Sequence, residues 1–409
     1  MKATKILRTS KSDVKASTKH ERLLLKANFV QKLSAGIYQL MPLGFLVYEK
    51  IYKIIDEELS AIGFLKFRAP IVHPAAIWEQ SGRYGDFGPE MVKFKNRSGE
   101  RFVLAPTHEE PVNLMAKKLI NSYKDLPLAL NQIQIKFRDE PRARGGLIRL
   151  REFTMQDGYS FHTNEKDLDE FYNQVREAYL KIFKRLGFVV KVVAATSGAM
   201  GGSGAEEFMV LSEDGSDQIV LCDKCDYAAN LETLESDKND SDKDKKCVKC
   251  GGNLKIENTI ELGHIFKLGD KYTKAFEVIY NDEKGEKKYP VSGCYGIGLE
   301  RAMASVVESH SDDKGIIWPS EIAPFEYYLI VLGEKAKVEA EKLYEKLEKA
   351  GKSVLLDDRE NSVGEKFADA DLIGCPKRLV ISDKTLVNNQ VEIKDRKTGE
   401  IELKNLADF

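Results

Sequence analysis

The chain has 409 residues, of which 42% are hydrophobic and 31% charged, with a formal net charge of −2. This length exceeds one ordinary core and predicts two or three domains, and the composition excludes a disordered or fibrous chain. No apolar run approaches the ~20 residues that cross a bilayer, and Met1 to Lys19 is polar and lysine-rich without the apolar stretch of a secretory signal; a cytoplasmic protein with no membrane partner is expected. The near-zero charge leaves room for a local basic stripe facing nucleic acid.

Residues 43–62 carry Val47, Ile51, Ile54, Ile55, Leu59 and Ile62 at helical spacing, with Gly63 as the stop. Strands are expected over 64–69, before Pro70, and over 101–104. Leu130 to Arg138 reads as a strand with Ile133, Ile135 and Phe137 alternating. After the Gly145-Gly146 loop the chain returns as a strand over 147–155, closing a long antiparallel hairpin. A helix over 165–186 places Leu168, Phe171, Val175, Tyr179 and Phe183 on one face, and a strand follows over 189–194. Residues 235–246 are nearly all Asp, Lys, Ser, Asn and Glu and read as a loop. Beyond Trp318-Pro319 the pattern becomes β-α-β, with strands over 327–332, 353–356 and 378–381 and helices over 335–350 and 364–372.

Two arginine-bearing words carry the chemistry. Phe137-Arg138-Asp139-Glu140 is followed by a basic loop and Arg149-Leu150-Arg151-Glu152-Phe153; far downstream stands Gly293-Cys294-Tyr295-Gly296-Ile297-Gly298-Leu299-Glu300-Arg301. A guanidinium is always charged and presents a planar fork to phosphate oxygens, so two such arginines suit a bent triphosphate. Cys222-Asp223-Lys224-Cys225 and Cys247-Val248-Lys249-Cys250 form two C-x-x-C pairs, the spacing of a closed, structural four-thiolate zinc site or, alternatively, of four free thiols.

The two arginine words resemble motifs 2 and 3 of class II aminoacyl-tRNA synthetases, and the helix and strand over 43–69 resemble motif 1. Thr107-His108-Glu109-Glu110, Tyr159-Ser160-Phe161-His162, Gly201-Gly202-Ser203-Gly204, Glu261-Leu262-Gly263-His264-Ile265-Phe266 and Gly293-Cys294-Tyr295-Gly296 are similar to the bacterial type of prolyl-tRNA synthetase. The resemblance implies an α+β fold: a class II core, with an antiparallel sheet flanked by helices, followed by a small α/β anticodon-binding domain. The expected division is core over 1–210, a short insertion with the cysteine pairs over 211–259, core again over 260–321, and the anticodon-binding domain over 322–409.

It further implies activation of L-proline by ATP with Mg2+, transfer to tRNA(Pro), and a homodimer built on motif 1. Arg138 and Arg301 would hold the α- and γ-phosphates, with Glu140, Arg149, Phe153 and Glu261 also at the nucleotide. Thr107 and Glu109 would take the proline imino group, Gly202 and Gly204 would let backbone approach the ring, and Phe161, His264 and Cys294 would wall the pocket together with Arg138. Arg142 and Arg144 would meet the acceptor stem, and Asp358, Arg359 and Lys366 the anticodon. The segment before Glu261 is too short for the editing domain that longer relatives carry, so no hydrolysis of alanyl-tRNA in cis is expected, and a separate deacylase is a candidate partner. A threonyl or seryl enzyme and a catalytically dead tRNA-binding paralogue are the rival readings; the first is disfavoured by cysteines outside the core, the second by the intact arginines.

Overall fold

The computed structural model describes residues 1–9, 14–196, 200–213, 215–231 and 246–409. They form two compact units, one of residues 35–37 and 52–302 and one of residues 1–34, 38–51 and 303–409. Of the loop expected over 235–246, only Lys246 lies among the described residues.

The chain enters the first unit along helix α1, Pro42–Ala61. Val47, Ile51, Ile54, Ile55 and Leu59 are all buried, as the helical spacing required, and Gly63 ends the turn with φ +94°. The expected strand over 64–69 shrinks to β1, Leu65–Lys66. A small antiparallel sheet follows, of β2 (Val72–Pro74), β3 (Lys93–Lys95) and β4 (Arg101–Leu104) in the order β2-β4-β3, with helices α2 (Ala75–Gln80) and α3 (Arg83–Asp86) inserted before β3. Helix α4, Glu109–Leu119, was not legible in the sequence.

The hairpin forms as β5, Leu128–Phe137, paired antiparallel with β6, Glu152–His162. Its return strand therefore begins later than the expected 147–155, because residues 141–149 turn around Gly145 and Gly146, both at positive φ. The burial of β5 also inverts the apolar alternation. Asn131, Gln132, Gln134 and Lys136 are buried, while Ile135 is 41% exposed. Three of these buried polar groups pair with β6: Gln132 Nε2 donates to Asp157 Oδ2 at 2.8 Å, Gln156 Nε2 to Asn131 Oδ1 at 2.9 Å, and Lys136 Nζ to Asp157 Oδ1 at 2.5 Å, while Gln134 Nε2 donates to Ala69 O at 2.7 Å. Such groups are stable inside only because each has a partner.

Helix α5, Glu165–Arg185, starts at Asn164, whose side chain accepts from Asp167 N, and buries Leu168, Phe171, Val175, Tyr179 and Phe183. Next come β7 (Lys191–Ala195), β8 (Gly204–Leu211), β9 (Asp217–Cys222), β10 (Ala228–Asn230), β11 (Leu254–Gly269) and β12 (Val291–Gly298). With β1, β5 and β6 they make a nine-stranded sheet in the order β8-β7-β10-β9-β11-β12-β6-β5-β1, with β8 also paired to β11. Within the expected insertion over 211–259, β9 and β10 are strands of this sheet, and Asp217 to Cys222 pair with Leu254 to Thr259. Helix α6, Leu299–Ser309, follows β12 directly.

The second unit carries a five-stranded sheet in the order β14-β13-β15-β16-β17, made of β13 (Tyr327–Leu332), β14 (Val354–Asp357), β15 (Lys377–Ser382), β16 (Gln390–Asp395) and β17 (Ile401–Asn405). Helix α7, Glu334–Lys349, buries Ala336, Ala340, Leu343 and Leu347 against it. Helix α8, Val363–Ile373, has a Ser362–Glu365 capping box and ends at Gly374 in the left-handed region. Strands β16 and β17 escape a reading by pattern because charged residues interrupt them and β17 is exposed along its whole length. Residues 303–321 belong to this unit, where Phe29 packs on Trp318 with ring centroids 5.3 Å apart and His20 Nδ1 meets Glu308 Oε2 at 2.7 Å.

Candidate active site

A cavity of about 530 Å³ opens in the first unit, lined by β6, β11 and β12, by Arg138 just after β5, by the turn over 147–150, by the start of α6, and by the turn into α4. That volume suits a nucleotide-sized ligand. Ten predicted residues share its wall: Thr107, Glu109, Arg138, Glu140, Arg149, Phe153, Glu261, His264, Cys294 and Arg301.

Arg138 follows β5 and is held from behind, its Nε donating to Pro106 O at 3.1 Å while the guanidinium lies 5.3 Å from the centre of the Phe153 ring. Arg301 sits in the first turn of α6. Its Nε donates to Ile148 O, and its Nη1 to both the backbone oxygen and Oε2 of Glu261, all at 3.0 Å. Burial, and next the positive charge of Arg301, depress the pKa of Arg138. The mutual repulsion of two guanidinium groups in one cavity wall favours an anion there. Burial works against the Glu261 carboxylate, yet its bond to His264 and the nearby Arg301 outweigh that and hold its pKa well below the ordinary range. His264 stacks on Phe266 at 3.8 Å with its Nδ1 3.3 Å from Glu261 Oε1.

In the same wall, Thr107 Oγ1 donates to Glu109 Oε2 at 2.7 Å. Asp157, Tyr159 and Cys294 line the cavity beside them. Burial pushes the Cys294 thiol well above its usual value, so it is a neutral, compact wall residue. His108 points away: it is fully buried, its Nε2 bonds Pro70 O at 3.0 Å, and burial together with Lys136 and His73 lowers its pKa to about 2.

Three predicted pocket residues lie elsewhere. Phe161 is buried in the core with Leu130, Tyr159 and Tyr272 and does not reach the cavity. Gly202 has φ +109°, and a Cβ there would fall 1.9 Å from Lys267 O, so its missing side chain serves packing on β11. Gly204 has open space around a Cβ. Sequence reasoning missed Arg83, Glu110, Lys136 and Asp157; the signal available was charge at positions where a folded chain has no water to offer.

Arg142 and Arg144 are exposed on the turn between β5 and β6. In the second unit, Arg359 donates to Asp357 and Asp369, and Lys366 Nζ to the backbone oxygens of Val331 and Asp357 at 3.2 Å. Asp358 accepts from Thr4 N and Oγ1. The expected anticodon-facing trio is therefore bonded within its own unit.

The four thiols of Cys222, Cys225, Cys247 and Cys250 lie within 4.8 Å of one another, with Sγ–Sγ distances of 3.4 Å for Cys222–Cys250 and 3.5 Å for Cys225–Cys247. Four thiolates at ~2.3 Å from a tetrahedral zinc are themselves just under ~4 Å apart, so the donor set fits that ion.

The family model for the tRNA synthetase class II core domain (G, H, P, S and T) matches residues 92–310, and that for the anticodon binding domain matches residues 326–409. A proline–tRNA ligase of Sulfurimonas denitrificans is 41% identical over 402 residues, covering 94% of this chain and 92% of its own. That of Wolbachia pipientis wMel is 40% identical over 383 residues, covering 92% and 90%. That of Treponema denticola is 35% identical over 559 aligned positions, covering 95% and 93%. The crystal structure of the prolyl-tRNA synthetase from Cryptosporidium parvum complexed with halofuginone and AMPPNP superposes with TM-score 0.79 at 20% identity, covering 95% of this chain and 74% of that one, and so shares the fold. With a matching core, a matching anticodon domain and relatives of this likeness along nearly the whole chain, the protein belongs to the proline–tRNA ligase family of class II aminoacyl-tRNA synthetases.

Proposed function

We propose that the cavity joins L-proline to ATP, and that the prolyl group then passes to the 3′ end of tRNA(Pro). The supporting observation is that Arg138 and Arg301, from distant motifs, share one wall with Thr107 and Glu109. Adenylate formation needs alignment and charge neutralisation more than proton transfer. Arg138, between the two ends of the cavity, would grip the α-phosphate and the proline carboxylate. Arg301, braced by Glu261, would grip the γ-phosphate. Phe153 offers a face for the purine, with Glu140 and Arg149 beside it. Thr107 and Glu109 would receive the imino group, with His264 and Cys294 as walls. Mg2+, when bound with ATP, would neutralise phosphate charge.

The tetrathiol cluster would hold a structural zinc that ties β9 to the start of β11. Arg142 and Arg144, exposed on the turn, suit contact with the acceptor stem. Cytoplasmic location, a homodimer through the motif 1 elements and the four-part division of the chain are part of the same reading. So is the absence of editing in cis: the Treponema denticola relative aligns over 559 positions with this 409-residue chain, so well over a hundred of its positions face no residue here. A separate deacylase would then clear alanyl-tRNA, because a pocket separates side chains differing by a methylene or two by only ~1–3 kcal/mol each.

The test is amino-acid-dependent ATP–pyrophosphate exchange with proline, alanine and threonine. Strong exchange with proline and weak exchange with alanine is the expected result. Exchange with threonine alone, or none with proline, would overturn the reading.

A further inference from the structure

Arg83 lies outside every word that suggested chemistry, yet it is 4% exposed and bonded to the residue assigned to the imino group. Its Nη1 donates to Glu109 Oε2 at 3.0 Å and to Glu110 Oε1 at 3.1 Å. The guanidinium carbon lies 5.2 Å, 5.3 Å and 5.4 Å from the ring centres of Trp78, Phe87 and Tyr272. Three rings and two carboxylates leave the fork one setting, and its charge is favoured there by Glu109 and Glu110 in spite of burial.

The geometry has a consequence for acceptor count. Both the Arg83 bond and the Thr107 hydroxyl bond land on Oε2 of Glu109, so Oε1 is engaged by neither. The Thr107 oxygen, having donated its hydrogen, keeps its lone pairs. Two acceptor atoms are then left for a ligand, Glu109 Oε1 and Thr107 Oγ1, while Oε2 already accepts two bonds. A secondary ammonium has two N–H donors, whereas the primary ammonium of alanine has three. A buried donor left unmatched is penalised, and one missing bond is worth about tenfold or more in affinity.

We infer that Arg83 is a specificity-positioning residue: by occupying Glu109 Oε2 it leaves two free acceptor atoms on Glu109 and Thr107, one for each N–H of a secondary ammonium, and so favours a secondary over a primary ammonium. The inference rests on the proposed activation of proline in this cavity. Arg83 does not touch the substrate; it acts through Glu109.

The experiment is exchange kinetics on the full chain for wild type, Arg83→Met, Arg83→Lys and Thr107→Val, with proline and alanine as substrates and ATP varied separately. For Arg83→Met, KM for proline should rise about tenfold with kcat and KM for ATP within about twofold, and the proline-to-alanine ratio of kcat/KM should fall about tenfold. Arg83→Lys should recover part of both changes, because an ammonium can still occupy Oε2. Thr107→Val is nearly isosteric and removes one acceptor from either amine, so it should weaken proline and alanine alike, with their ratio within about twofold, while Arg83→Lys serves as the second variant if Arg83→Met does not fold. A folded Arg83→Met or Arg83→Lys that loses proline and alanine activity in equal proportion would overturn the inference and leave a structural role. Absence of proline exchange in wild type would instead sink the functional reading on which it stands.

Discussion

Arg301 and Glu261 are bonded twice, Nη1 of the arginine donating to both the backbone oxygen and Oε2 of the glutamate at 3.0 Å. The pair is part-buried, and the bond to the backbone oxygen fixes β11 against the first turn of α6. Glu261→Gln keeps the shape and removes the charge that holds the fork. The expected result is a KM for ATP raised about tenfold, with KM for proline within about twofold, since a charge-assisted bond is worth ~1.5–3 kcal/mol. Equal loss on both substrates would show that Glu261 has no special relation to the phosphate end.

Lys136 and Asp157 form a buried pair at 2.5 Å, with Asp157 also accepting from Gln132 and Tyr159. Burial lowers the Lys136 pKa, and Asp157 opposes that. Lys136→Met leaves the carboxylate without its counter-charge and should destabilise the first unit by about 3–5 kcal/mol. In Lys136→Met/Asp157→Leu much of that loss should return, so the double change costs less than the sum of the single ones. Urea unfolding of the four proteins checks this; strict additivity would mean that the two charges do not interact.

Glu110 is fully buried beside Glu109. Burial, with the like charge of Glu109 added and Arg83 opposing, raises its pKa to about 7. The folded value lies above that of an unfolded glutamate, ~4.3, so the unfolded chain releases this proton first as pH rises. Stability from Glu110 is then largest below about pH 4, falls as pH climbs, and levels off above about 7. Glu110→Gln should flatten that decline, gaining on the order of 1–3 kcal/mol relative to wild type between pH 4 and pH 7. Chemical denaturation of both proteins across this range decides it, and parallel curves would place the pKa near its ordinary value.

The tetrathiol geometry predicts one zinc per chain. Metal analysis of protein purified without chelator should return about one equivalent, and Cys250→Ser should lower both metal content and Tm. Metal-free protein with unchanged Tm would leave the cysteines as free thiols.

Words whose chemistry is local were legible in the sequence: Phe137-Arg138-Asp139-Glu140, Gly298-Leu299-Glu300-Arg301 and the two C-x-x-C pairs. Helices α1 and α5 and the β-α-β pattern after Trp318 could be read too, because helical spacing of apolar residues and glycine stops need only neighbouring residues to be seen. Which face of a strand turns inward is settled by what covers it, and there the sequence misled. On β5 the polar residues Asn131, Gln132 and Lys136 lie inside because β6 supplies Asp157 and Gln156 as partners, and Gln134 because Ala69 offers its backbone oxygen, leaving Ile135 exposed. The same reason placed Phe161 in the core and bound Arg359 and Lys366 within their own unit. Arg83 and Glu109, 26 residues apart, meet only when α3 and α4 fold together. A buried charge is tolerable only beside its counter-charge, and tertiary structure alone brings that partner into place.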